Sequence, residues 1–128
     1  MATVCNSIMV TVADKVGRLA EVTDAIKDAG VNIVALAAWV EGDNGKLLAC
    51  TDDNEKACAA VRDSVEHCGW EEVICIKAEN RPGALSEIAH KLADAGINIH
   101  LALATVGDAP EATVVLRTSD NAKAAEIV

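Results

Sequence analysis

The chain has no Phe and no Tyr, and its aromatic carbon is confined to Trp39 and Trp70. Modules that stack nucleic-acid bases need aromatic platforms, which this chain can hardly build. Basic residues are scarce as well: eleven Lys and Arg stand against twenty Asp and Glu, for a net charge of −9. A phosphate backbone is repelled by such a balance, and so is an anionic membrane surface, so neither nucleic acid nor membrane is expected as a partner. Long apolar runs are missing too. No stretch without an Asp, Glu, Lys or Arg exceeds 13 residues, as in Met1 to Ala13, and Ala29 to Val40 is another such run, all well short of the ~20 residues that span a bilayer. Met1 to Asn6 carries no basic or hydrophobic signal region. The five cysteines are an odd number without a C-x-x-C pair. Free thiols in a reducing compartment, and hence a cytoplasmic location, are the expectation.

What the chain does have is aliphatic bulk: 52% of its 128 residues are apolar, enough for one ordinary domain or two very small ones. An internal repeat decides between these. Displaced by 66 positions, Gly17, Leu19 and Glu21 fall on Gly83, Leu85 and Glu87, and Asp28-Ala29-Gly30 and Asn32-Ile33 fall on Asp94-Ala95-Gly96 and Asn98-Ile99. Further on, Thr51-Asp52-Asp53-Asn54 matches Thr118-Ser119-Asp120-Asn121 at 67, one residue having been added between. Such self-similarity signals two copies of one supersecondary unit, divided here as residues 1–69 and 70–128.

Each copy reads β-α-β-β-α. Strands are expected at Ile8–Ala13 and Val73–Ala78, at Val31–Val40 and Ile97–Val106, and at Lys46–Thr51 and Ala112–Thr118. Leu19, Val22, Ile26 and Ala29, with Leu85, Ile88, Leu92 and Ala95, recur at steps of three and four and make one helical face in each copy. Gly30 and Gly96 suit helix C-caps, Asn44-Gly45 and Gly107–Pro110 suit hairpin turns, and Asp53 or Ser119 can cap a second helix. That helix is expected over Asn54–Cys68 in copy one and is barely two turns long in copy two. The class is therefore α+β: two ferredoxin-like repeats, each an antiparallel sheet with helices on one face. This fold needs a fourth strand after its second helix. Only one strand, near Trp70–Ala78, lies between the helical pairs, so the copies are expected to share or exchange strands, within the chain or between chains. The second strand is apolar on both sides, and a partner protomer, giving a homodimer, is the simplest cover for its second face.

The segment Glu79-Asn80-Arg81-Pro82-Gly83-Ala84-Leu85 carries the most chemical information. A glycine opening a helix lets a small anion approach the first-turn N–H groups and the positive end of the helix dipole. An α-carboxylate is such an anion, and two amides, Asn80 and Asn98, offer donors and acceptors to a zwitterion. Gly17 and Gly83 are equally explained by a tight turn, Asn32 and Asn98 by local hydrogen bonding, and Lys15, Arg18 and Arg81 by solvated surface charge. His67-Cys68 lacks zinc-ligand spacing with Cys58 or Cys75, so no metal is expected. His100 lines either a pocket or an interface. No nucleophile elbow, P-loop or dinucleotide fingerprint occurs, so neither a cofactor nor catalysis is expected.

These residues resemble the ACT domain, a small amino-acid-binding regulatory module. Asn80-Arg81-Pro82-Gly83-Ala84-Leu85 with Gly96-Ile97-Asn98-Ile99 is close to its full pattern, and Asp14-Lys15-Val16-Gly17-Arg18-Leu19 with Gly30-Val31-Asn32-Ile33 is similar without the proline. The resemblance implies a β-α-β-β-α-β fold, modules paired side by side, and free amino acids bound at module interfaces. The implied ligand residues are Asn80, Gly83, Ala84, Leu85 and Asn98, and in the first copy Asp14, Gly17, Arg18, Leu19 and Asn32. A non-catalytic amino-acid sensor is the leading expectation. The alternative is a dimerising regulatory subunit that docks onto a metabolic enzyme without a ligand.

Overall fold

A computed structural model describes residues 2–128. The elements run β1 (Ala2–Ala13), α1 (Arg18–Asp28), β2 (Ile33–Glu41), β3 (Asn44–Thr51), α2 (Asn54–Val61), a single 3₁₀ turn (Arg62–Ser64), β4 (His67–Glu79), α3 (Ala84–Asp94), β5 (Ile99–Thr105), β6 (Glu111–Thr118) and α4 (Asn121–Ile127). They form two compact units. The N-terminal unit is Asn6–Glu71, and the C-terminal unit joins the residues up to Cys5 with Glu72–Val128. Each is α+β, with an antiparallel sheet and two helices.

The strand shortage is resolved by exchange within the chain. Both long strands, β1 and β4, are divided between the units. In the N-terminal unit the order is β2-β3-β1, followed by the first residues of β4. The Ser7 hydroxyl donates to the Glu71 carbonyl (2.9 Å) and the Glu66 N–H donates to the Thr11 carbonyl (2.9 Å), fixing that fourth strand. In the C-terminal unit the order is β5-β6-β4, followed by the first residues of β1. Ala2 accordingly packs against the C-terminal core, and Val65 and Cys68 against the N-terminal core. Each unit is thus completed as β-α-β-β-α-β.

Period-two alternation sets the strand faces. Ile8, Val10 and Val12 stand opposite Ala49, Leu47 and Gly45, and these residues meet Val22 and Ile26 of α1 and Ala57, Cys58 and Val61 of α2. Ile74 and Ile76 likewise oppose Leu116 and Val114 beneath Ile88, Leu92 and Ala124. On the opposite strand positions Leu48, Cys50 and Ala35 in one unit and Val73 and Val115 in the other are also buried.

Local chemistry departs from expectation at four places. The second helix of the first copy stops at Val61 rather than Cys68, because the following residues extend into the strand that completes the unit. The β2–β3 hairpin turns at Gly42-Asp43, Gly42 having φ 63°, and Asn44-Gly45 already belongs to β3. Asp120, not Ser119, caps α4, accepting from the Lys123 N–H as Asp53 does from Lys56. The cysteines are not all free: Cys5 pairs with Cys75 and Cys58 with Cys68 as disulfides, leaving Cys50 free and buried. Among the described residues no helix is long and apolar enough to cross a membrane.

Candidate functional site

The two first turns share a backbone. Gly17 and Gly83 precede α1 and α3 with φ 89° and 88°, a left-handed conformation that costs any other L-residue roughly 1–2 kcal/mol. The Arg18 and Ala84 N–H groups are already engaged, donating to the Lys15 and Arg81 carbonyls (3.3 Å each). Tight-turn geometry alone therefore accounts for both glycines.

The side chains around these turns differ. In the C-terminal unit the Asn80 amide donates to the Gly107 and Ala109 carbonyls, both at 2.9 Å, closing the β5–β6 loop. Arg81 is held by Glu79 (2.6 Å) and Glu87 (2.7 Å), and the guanidinium pulls the Glu87 carboxyl below the ordinary glutamate range. Arg81 and Ala84 border a shallow hollow of about 200 Å³ with Glu87 and Val128. Leu85 stays half-exposed at 47%. This turn satisfies its own polar groups.

The first turn is less self-contained. Asp14, Lys15, Arg18 and Leu19 line a cleft of about 230 Å³. Its floor is Val10, Val12, Val22 and Leu47, and its far wall is Ala38, Trp39 and Val40 of β2. Arg18 gives Nη1 to Glu21 (2.9 Å), while its Nε is buried with no hydrogen-bond partner. A buried donor in that state is costly, and a guanidinium is the group whose planar fork pairs with a carboxylate. Here the two copies diverge, since the position equivalent to Arg18 is Ala84. Trp39 and Val40 were not expected at a site. They come there because β2 and the β1–α1 turn meet at one end of the unit.

Asn32 and Asn98 lie elsewhere. The N–H of Asn32 donates to the Asp52 carboxylate (3.0 Å) and that of Asn98 to the Ser119 hydroxyl (3.0 Å). Their carbonyls accept from the N–H groups of the same two residues. Asn98 therefore sits at the end of β6, whereas the Asn80 N–H donates to the Pro110 carbonyl (2.9 Å), just before the start of that strand. Eight residues separate those ends, roughly 26 Å of strand. The cause is topological: β4 and β5 both run antiparallel to β6, so they are parallel and their starts share one end of the sheet. The structure does not bring Asn80 together with Asn98 in one unit, nor Asp14 with Asn32. A single unit cannot offer both groups to one small ligand. His90 and His100 are exposed, and no group of potential metal ligands occurs among the described residues.

Residues 73–126 match the family described as the ACT domain. That match lies within the C-terminal unit. Both ACT-like units take part in the chain's match to solved structures. Protein BT0572 from Bacteroides thetaiotaomicron superposes with a TM-score of 0.89 at 29% identity, over 98% of this chain and 87% of that one. The ligand-free regulatory subunit of aspartate kinase from Thermus thermophilus gives 0.68 at 13% identity, over 99% and 94%. The corresponding subunit from Thermus flavus gives 0.64 at 14%, over 98% and 90%. These last two show a shared fold over the whole chain. No curated protein matches the sequence.

Proposed function

We propose that this chain is a tandem ACT-like, non-catalytic regulatory module that binds a free amino acid in the cleft of its N-terminal unit. The observation that carries the reading is the buried, unpartnered Nε of Arg18 above an aliphatic floor. In this reading the α-carboxylate pairs with the Arg18 guanidinium, the Asp14 carboxylate faces the ammonium group, and an aliphatic side chain lies on Val10, Val12 and Leu47. The tandem fold shared with regulatory subunits of aspartate kinase supports a regulatory role. Binding shifts shape or assembly only through its differential affinity for the two arrangements.

The test is thermal melting of ligand-stripped protein against the twenty amino acids, followed by calorimetry. A ligand at a hundred times its Kd adds about 2.7 kcal/mol, which raises Tm by several degrees. An aliphatic amino acid is expected to stabilise the protein, Arg18→Ala to weaken its binding at least tenfold, and Asn80→Ala to leave it unchanged. A flat panel, or unchanged affinity in Arg18→Ala, overturns the proposal. A second reading, a subunit that docks onto an enzyme without a ligand, is favoured by Val34 and Val40, which stand 57% and 58% exposed on β2. An enzyme that copurifies in fixed ratio, indifferent to amino acids, would support it.

A further inference from the structure

The cysteine pairs are placed where the strand exchange is closed. Cys5 is the last residue of the segment that β1 contributes to the C-terminal unit, and its partner Cys75 lies on β4 in that unit. Cys68 lies in the segment that β4 contributes to the N-terminal unit, and its partner Cys58 lies on α2 in that unit. Both pairs thus join an exchanged segment to the unit it completes. Their Cα atoms are 6.6 and 5.9 Å apart, within the reach of a disulfide.

We propose that the two pairs form a reversible thiol–disulfide site that latches each exchanged strand onto its recipient unit, set by a low-molecular-weight disulfide such as oxidised glutathione. Three observations support this. The contributed segments are short: residues 2–5 in one case, 67–71 in the other. Terminal and short edge strands are the elements most prone to local opening. Access is also graded, since Cys5, Cys68 and Cys75 are half-buried whereas Cys58 is fully buried. Finally, the Arg62 guanidinium donates to the Cys58 sulfur at 3.7 Å, the electropositive setting that favours a thiolate. Cys50 stands apart, buried and with its thiol pushed up by burial.

The chemistry balances in two exchanges. The Cys68 thiol, after losing its proton, attacks the small disulfide, forming a mixed disulfide and releasing one small thiol. The Cys58 thiolate then attacks the Cys68 sulfur, forms the Cys58–Cys68 bond and releases the second small thiol. Two electrons pass from the cysteines to the small disulfide, and the two cysteine protons end on the two released thiols. Cys5 and Cys75 follow the same sequence. Opening a latch frees the segment to leave, exposing an unpaired strand edge to a second copy of the chain.

The experiment uses the full chain equilibrated in graded mixtures of reduced and oxidised glutathione, quenched with acid and alkylated. Peptide mapping is expected to find Cys5–Cys75 and Cys58–Cys68, with Cys50 alone alkylated throughout the oxidised range. Hydrogen exchange is then compared between the two states. Peptides spanning residues 2–5 and 67–71 should exchange on the order of tenfold faster after reduction, with α1 and α3 unchanged. Cys5→Ser should reproduce the effect at residues 2–5 only, and Cys68→Ser at 67–71 only; reduced wild type supplies the same readout should a variant not fold. Pairings that involve Cys50, thiols that stay reduced in every mixture, or equal exchange of both segments in the two states would overturn the proposal.

Discussion

Asn121 offers the sharpest energetic test of how the exchanged strands are held. Its side-chain oxygen accepts from the Thr118 N–H (2.9 Å) and hydroxyl (2.8 Å), and its Nδ2 donates to the Glu72 carbonyl (3.0 Å). One amide thus ties the end of β6, the start of α4 and the point where β4 enters the C-terminal unit. Asn54 makes the same clamp in the N-terminal unit, bonding the Thr51 N–H and hydroxyl and donating to the Asn6 carbonyl at 2.7 Å. Each bond contributes about 1 kcal/mol net, and the groups are partly reachable by water once freed. Asn121→Ala is therefore expected to cost about 2–3 kcal/mol, a substantial part of the stability of a small protein. Asn121→Asp keeps the acceptor for Thr118 but replaces the donor with an anion facing Glu72, and should cost about 1–2 kcal/mol. Urea unfolding of the oxidised protein, with m compared between variants, reads both values. A loss below about 0.5 kcal/mol for Asn121→Ala with unchanged m would refute the idea that the clamp secures the crossing, because three bonds cannot vanish that cheaply.

Other outcomes follow from the same reasoning. Gly83→Ala is expected to destabilise by about 1–2 kcal/mol through its left-handed backbone alone; unchanged chemical denaturation would show that the turn adopts another conformation. Leu92→Ala, at a fully buried position, should cost about 2–5 kcal/mol, whereas half-exposed Leu85 should tolerate alanine within about 0.5 kcal/mol; equal losses would contradict the packing. The Glu87 carboxyl, held low by Arg81, contributes stability that is present above the pKa of unfolded glutamate and is lost as pH falls through the lower folded value. Carbon-detected NMR titration should place its midpoint below that of free glutamate and return it upward in Arg81→Ala; a midpoint that stays put in that variant would break the link.

Much of this architecture can be read from spacing. The 66-residue displacement locates both copies, and the three-and-four steps of Val22, Ile26, Ile88 and Leu92 identify the faces that become buried. The missing fourth strand is visible as a deficit, and so is the need for the copies to share or exchange strands; which residues of β1 and β4 serve which unit is not, because a strand divided between two units leaves no mark in local pattern. The early end of α2 has the same origin: the residues past Val61 lead into the edge strand that completes the unit. At the candidate site the glycines and the Asp14 and Arg18 side chains are legible, while Trp39 and Val40 are not, since they reach the cleft only through the β2–β3 hairpin. Asn80 and Asn98 look like one site in the linear motif and lie at opposite ends of β6, a separation imposed by parallel β4 and β5. The cysteine gaps conceal the disulfides because the partners meet through the exchanged strands.

The exchange also bears on how the protein emerges from the ribosome. The first residues of the chain belong to a unit whose other members begin at Glu72, and Cys5 must wait for Cys75, 70 residues later in the sequence. At ordinary translation rates of 5–20 residues per second, that is a delay of roughly 4–14 s. During it the segment at residues 2–5 has no edge to join, while the N-terminal unit lacks its own last strand until residues 67–71 appear. Neither half has all its parts if made alone, so a gene cut between the repeats would yield two fragments that each lack an edge and complement one another only when mixed.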